Sequence, residues 1–300
     1  MENKNIGLID IDGKKFPNLA LMKISAYHKS IGDNVEFATM FEHYDIIYKS
    51  KLFSWTVDPE YCYNTKKYII GGSGFNYKTT LSNKINAMMP DYRLYNCTSA
   101  YGYLTRGCIR KCDWCIVPEA EGDIRPEHDI EQIIGNMTSV ILMDNNVLAH
   151  EWGIKQIEKI INKKIKIDFN QGLDARLIDN SISKLLARVK WLKPLRLACD
   201  KKEAFKDVEK AVKLLRKYNA TPSKYFCYVL VKNISDSHEQ IKKLRALNID
   251  PFAQPYRDKK NTPVPYENKR FCRWVNHKAI FKSIEWEEYR DGKQEQQRTG

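Results

Sequence analysis

An α/β protein made of parallel sheets is the fold class that the sequence predicts, arranged as two units in series with a short C-terminal extension. Three observations carry that expectation. Strand-type runs alternate with helix-type runs from residue 6 to residue 253. The helical stretches between successive strands are long enough for right-handed parallel crossovers. A Pro-punctuated linker, Asn261-Thr262-Pro263-Val264-Pro265, then closes the alternation. Three hundred residues, 43% hydrophobic and 29% charged, supply enough apolar chain for one large core or two smaller ones and exclude wholesale disorder.

In the first unit, residues 1–97, Ile6-Gly7-Leu8-Ile9-Asp10-Ile11 reads as a strand and Leu19 to Ile31 as a helix. Val35 to Ala38, Asp45 to Tyr48 and Lys67 to Ile70 are further short strands, giving a Rossmann-like parallel-sheet unit. Gly71-Gly72-Ser73-Gly74-Phe75 ends the last of them, as a tight turn or a phosphate cradle. In the second unit, residues 98–255, the strands are Ser139 to Met143, Ile165 to Phe169, Leu195 to Ala198, Tyr225 to Val231 and a short one near Pro251 to Ala253. Between them lie helices at Trp152 to Asn162, Ser181 to Val189, Lys202 to Tyr218 and Ser237 to Leu247. Parallel sheets of this kind place binding loops beyond the strand C-termini.

Nowhere do about 18 apolar residues run together, and Met1-Glu2-Asn3-Lys4-Asn5 is not a basic stretch leading into an apolar run of about seven to fifteen residues. The expectation is a cytoplasmic protein with no membrane partner. Fifty Lys and Arg against 37 Asp and Glu give a net charge of +13, which favours polyanionic partners or substrates. The extension, residues 256–300, carries 11 basic and 7 acidic groups. Within it Lys269, Arg270, Arg273, Trp274 and Lys278 interleave cations with an aromatic ring, as contacts to phosphates and bases require. Phe271, Trp274, Val275 and Phe281 also fall near one helical face, so a helix docked on the second unit is the competing reading.

Of eight cysteines, Cys62, Cys97, Cys199, Cys227 and Cys272 are scattered, whereas Cys108, Cys112 and Cys115 form C-x-x-x-C-x-x-C. With no secretory signal, reduced thiols or metal ligands are the better prior than disulfides. A structural zinc site takes four ligands, so zinc would need a distant Cys or His as well. A 4Fe-4S cluster takes one thiolate per iron, and three cysteines leave one iron open to an outside ligand.

With Trp114 just before the third cysteine, this stretch resembles the radical S-adenosylmethionine (SAM) superfamily. The resemblance implies that Cys108, Cys112 and Cys115 hold a 4Fe-4S cluster whose open iron is chelated by SAM. It also implies a partial (βα)6 barrel over residues 98–255, and an electron donor such as a flavodoxin or ferredoxin. The first unit resembles the cobalamin-binding-like domain that precedes the barrel in many such enzymes. The Asp-x-His-x-x-Gly loop of the cobalamin binders is replaced by Asp10-Ile11-Asp12-Gly13-Lys14-Lys15, so cobalamin is not expected. His28 and His43 read as packing or surface residues.

Polar residues interrupt the apolar runs at the strand ends: Asp144-Asn145-Asn146, then Asn170-Gln171, then Cys199-Asp200. Asp144 or Asn145 is assigned to the SAM ammonium, at a place where the superfamily often has a Gly-Gly-Glu-like turn. Asn170 or Gln171 is assigned to its ribose or carboxylate, and Asp200 joins the same pocket. Each could instead be a loop cap. Arg106-Gly107 before the cluster motif and Glu119-Ala120-Glu121-Gly122 after it also look like tRNA methylthiotransferases. Those enzymes have three further N-terminal cysteines, where this chain has only Cys62 and Cys97, and their C-terminal RNA-binding barrel exceeds the 45 residues after position 255. The resulting expectation is a radical SAM enzyme that generates a 5'-deoxyadenosyl radical to modify RNA, DNA or a nucleotide. A peptide or small metabolite is the alternative substrate, and a zinc-bearing nucleic-acid-binding module the alternative outside catalysis.

Overall fold

The computed structural model describes residues 3–13, 16–220, 222–258 and 262–291. The first unit forms a parallel four-stranded sheet from β1 (Asn5–Asp10), β2 (Asn34–Phe37), β3 (Ile46–Ser50) and β4 (Tyr68–Gly71), in the order β2-β1-β3-β4. Its crossover helix α1 (Leu19–Ser30) starts at Asn18, whose side chain accepts from the Leu21 N–H and donates to Ser50 Oγ at 2.9 Å. That residue satisfies a helix-end donor and ties the helix start to the end of β3. Ile6, Leu8, Leu21 and Ile24 form the small core between helix and sheet. At the β4 end Gly72 has φ +96°, and a Cβ there would lie 2.3 Å from the Lys51 carbonyl. The glycine turn is a close backbone crossing, leading into a single helical turn at Ser73–Asn76.

The second unit begins with β5 (Ala100–Gly102), followed by a small antiparallel pair, β6 (Thr105–Arg106) and β7 (Arg125–Pro126). Then come β8 (Ser139–Leu142), α2 (Glu151–Asn162), β9 (Lys166–Phe169), α3 (Asn180–Ala187) and the short edge strand β10 (Lys190–Trp191). The chain continues as β11 (Leu195–Ala198), α4 (Phe205–Lys217), β12 (Tyr225–Val231), α5 (Ile234–Ala246) and β13 (Ile249–Pro255). One parallel sheet has the order β10-β9-β8-β5 and another β11-β12-β13. A parallel bridge between Leu173 and Leu197 joins them, so the six longer crossover strands follow one another in chain order.

Period-two burial explains which way these strands face. On β12, Tyr225, Cys227, Val229 and Val231 are buried while Phe226, Tyr228 and Leu230 are half-buried on the other side. The buried side meets α5, whose buried Ser237, Gln240, Ile241 and Leu244 recur at helical spacing. On the opposite side Arg196 donates to Asp168 Oδ2 at 2.9 Å, Asn170 Oδ1 at 2.6 Å and the Tyr228 hydroxyl at 3.0 Å.

The extension folds back as α6 (Tyr266–Asn276) and α7 (Lys278–Ser283). Trp274 is 1% exposed, its ring beside Phe271, Phe281, His238 and Trp286 and its Nε1 donating to the Ile284 carbonyl. Arg270 is buried too, donating to the Tyr289 carbonyl and Glu267 and lying over Trp286. These contacts correct the expectation that Arg270 and Trp274 meet phosphates or bases, because both side chains are used to dock the helix. Arg273 pairs with Asp291 at 2.5 Å and Lys278 with Asp250 at 2.8 Å, while Lys269 is exposed.

Candidate metal centre

The cysteine loop leaves the sheet through β6 and returns through β7, so its two ends are held together by strand pairing. Gly107 opens it at φ +80°, where a Cβ would lie 2.2 Å from the Asp123 carbonyl, and only glycine fits that crossing. The Cys108 N–H donates to the Gly122 carbonyl and the Cys115 N–H to the Cys112 carbonyl. Cys108, Cys112 and Cys115 are all partly exposed free thiols. Burial pushes the Cys112 and Cys115 thiols above their ordinary range, and each is raised further by its neighbouring thiols. A metal bound by Cys112 and Cys115 would have to displace their protons.

Side chains from several elements brace this loop. Glu121 accepts from the Gly107 N–H and from Asn145 Nδ2, each at 2.8 Å, and pairs with Arg106 at 2.9 Å. Asn145 is thereby turned onto the loop's own carboxylate. Asn146, 3% exposed, points Nδ2 at Cys108 Sγ (3.5 Å) and Asp174 Oδ2 (3.4 Å), and its buried Oδ1 has no partner among the described residues. Asp174 also accepts from Arg110 at 2.9 Å and Arg176 at 2.6 Å. These cations hold the Asp174 carboxyl below its usual range despite burial.

The assigned SAM contacts are distributed differently. Asp144 is 5% exposed and accepts from the Leu104 N–H at 3.1 Å, the Thr105 N–H at 2.6 Å and Thr105 Oγ1 at 2.7 Å. Its carboxylate is spent on the backbone leading into β6, which corrects its assignment as a direct ammonium contact. Burial nevertheless pushes its pKa up to about 6 against those donors. Asn170 Oδ1 is taken by Arg196, whereas Gln171 is exposed. Asp200, pushed up to about 6 by burial with Arg176 opposing, shares its electrostatic surroundings with Cys112 and Cys115. Trp114 lies under Lys201 Nζ, 4.7 Å from the ring centre.

Asn146, Glu121, Asp174, Arg110 and Arg176 are the bracing residues to which sequence reasoning gave no role. Apart from Asp174 and Arg176, two residues apart, their partners lie 14 to 64 residues away. No short-range spacing signals such pairs. Among the described residues, no three Cys, His, Asp or Glu side chains are arranged to hold a single metal ion. Among the described residues, no helix is long and apolar enough to cross a membrane. The chain matches no protein-family model and no curated protein.

Proposed function

We propose that the chain is a radical SAM enzyme whose Cys108, Cys112 and Cys115 hold a 4Fe-4S cluster. The observation that carries this reading is the loop itself: three thiols, braced by Glu121 and approached by the Asn146 amide, beside the ends of parallel strands. A single tetrahedral ion needs its sulfurs converging at about 2.3 Å on one point, whereas a cluster takes each thiolate on its own iron. When bound, the cluster supplies the electron that splits SAM into methionine and a 5'-deoxyadenosyl radical. The protein's residues position and shield. Asn146 donates toward the Cys108 sulfur and so holds that side chain in place. In this reading its unpartnered Oδ1 replaces Asp144 as the acceptor offered to an ammonium group, and Asp200 and Gln171, on neighbouring strand-end loops, complete the SAM contacts.

The six strands in chain order support a half-open (βα)6 barrel with this loop at its mouth. The N-terminal unit serves as a scaffold without a corrinoid. Asp12, in the loop after β1, accepts from the Leu52 and Phe53 N–H groups and Thr56 Oγ1, closing the crevice between the ends of β1 and β3. Absence of a corrinoid spectrum from protein produced with cobalamin tests that point. Nucleic acid or a nucleotide is the substrate class that the +13 charge favours.

The deciding experiment is anaerobic reconstitution followed by iron, sulfide and 5'-deoxyadenosine analysis. About four irons per chain and reductant-dependent SAM cleavage are expected, both lost in a variant with all three cysteines changed to Ala. Zinc without sulfide, or a triple variant that keeps its iron, would end the enzyme reading.

A further inference from the structure

We infer that the strand-start end of the second unit, opposite the cysteine loop, is a docking surface for the phosphodiester backbone of a nucleic acid. Two segments reach that end, Lys163-Lys164-Ile165-Lys166 and Arg188-Val189-Lys190-Trp191-Leu192-Lys193, and together they hold six cations and no acid. Lys163 pairs with Glu131 at 3.0 Å. Lys164, Lys166, Arg188, Lys190 and Lys193 are exposed, and among the described residues none has a carboxylate within 4.0 Å. Lys193 favours the ionised form of buried Asp168, but Asp168 gives its Oδ2 to Arg196.

Helix dipoles explain part of this set. Lys164 and Arg188 follow the C-terminal ends of α2 and α3, where cations are favoured. Lys166, Lys190 and Lys193 lie on or beside strands and have no such reason. Lys166 and Lys190 are register partners on parallel neighbours β9 and β10, about 4.8 Å apart. Like charges directly opposite on adjacent strands are destabilising, and an anion shared between them removes that cost.

Next to the row is a cavity of about 280 Å³ lined by Val189, Trp191, Leu192, Lys193, Pro222 and Ser223. Trp191 packs one side against Phe169 and stays partly exposed. Trp191 and Lys193 line the same cavity, so a base stacked on the half-exposed indole has a cation beside its phosphate, and this favours nucleic acid over an acidic protein. RNA and DNA share that chemistry. The link to catalysis rests on the proposed function, because a strand of seven residues spans about 20 Å and a folded nucleic acid can touch both ends.

The test is fluorescence anisotropy with a labelled stem-loop RNA and the matching DNA, from about 50 to 200 mM salt. Changing Lys164, Lys166, Lys190 and Lys193 together to Gln should flatten the log–log salt slope by about 2.8 for single-stranded contacts. Over that fourfold salt range, the wild type then loses about 50-fold more affinity than the variant. Lys269, Arg273 and Lys278 changed to Gln should leave the slope in place. Circular dichroism confirms folding, and a Lys190→Glu, Lys193→Glu pair should weaken binding further. Preference for one nucleic acid over the other identifies the source and supports the surface. An unchanged slope in the fourfold variant, no salt-dependent binding by wild type, or displacement by polyglutamate as effective as by RNA would overturn it. Iron content and SAM cleavage of the variant are read in parallel, so failure here and failure of the cluster reading are told apart.

Discussion

Replacing Asp144 by Asn tests whether a buried carboxylate sets the entrance to the cysteine loop. The Asp144 oxygens accept from Leu104 N, Thr105 N and Thr105 Oγ1, and burial raises the group from 3.8 to about 6. A folded-state pKa above the unfolded one means that the folded protein binds the proton more tightly. The Asp144 contribution to stability is therefore fully present below about pH 4 and is lost as pH rises through about 6. The gap between 3.8 and about 6 corresponds to roughly 3 kcal/mol. Asn is neutral throughout and keeps an acceptor for both Thr105 donors, so it escapes this loss. Urea denaturation of wild type and Asp144→Asn, run in parallel across the pH range, should show their stability difference moving by about 3 kcal/mol toward the variant between pH 4 and 7. A difference that stays constant with pH would refute the assignment. Asp144→Ala differs, because it leaves two buried N–H groups unpaired at about 1–3 kcal/mol each. That variant should lose iron as well as SAM affinity.

Glu121→Ala removes the shared partner of Gly107, Asn145 and Arg106, so reconstituted iron should dissociate faster, with Glu121→Gln intermediate; equal retention by all three proteins would mean that the brace is idle. Gly107→Ala places a Cβ 2.2 Å from the Asp123 carbonyl in a left-handed backbone, and a near-wild-type iron content would contradict that crossing. Trp274→Ala should cost about 3–5 kcal/mol, a fall in Tm on the order of 10 °C by calorimetry. Changing exposed Lys269 to Gln should leave Tm nearly unmoved.

Strands of the second unit were legible where apolar residues ran together, as at 139–142 and 225–231, or alternated with polar ones, as at 166–169. β5 and the β6/β7 pair were not. Ala100-Tyr101-Gly102 is short and contains a glycine, and Thr105-Arg106 and Arg125-Pro126 are two residues each, held by pairing across the loop. The cysteine triplet was readable because its meaning lies in local spacing. The roles of Asp144 and Asn146 were not, because each depends on partners about 40 residues upstream in the chain. Trp274 illustrates ambiguity of another kind. Aromatics interleaved with cations satisfy both a stacking surface and an amphipathic helix, and burial alone separates the two.

Separation of chemistry from charge follows from the way parallel strands are connected. Each α-helix returns the chain to the start of the next strand, so helix C-termini and strand starts accumulate at one end, where Lys164, Lys166, Arg188, Lys190 and Lys193 collect. Strand C-termini open into loops at the other end, which carry Asp144, Asn146, Gln171 and Asp200, and there Asn146 meets Cys108. At the strand starts, lysine stems reach water at little desolvation cost, whereas the strand ends bury polar groups that must find partners. Glu121, Asp144 and Asp174 find them, and Asn146 Oδ1 does not. That orphaned acceptor beside Cys108 costs on the order of 1–3 kcal/mol unless a ligand donor fills it. Asn146→Leu, which removes both the orphan and the amide facing the sulfur, should therefore stabilise the metal-free protein in urea while weakening SAM binding to the reconstituted one. A variant that weakened both would make Asn146 a packing residue and leave the ammonium without its proposed acceptor.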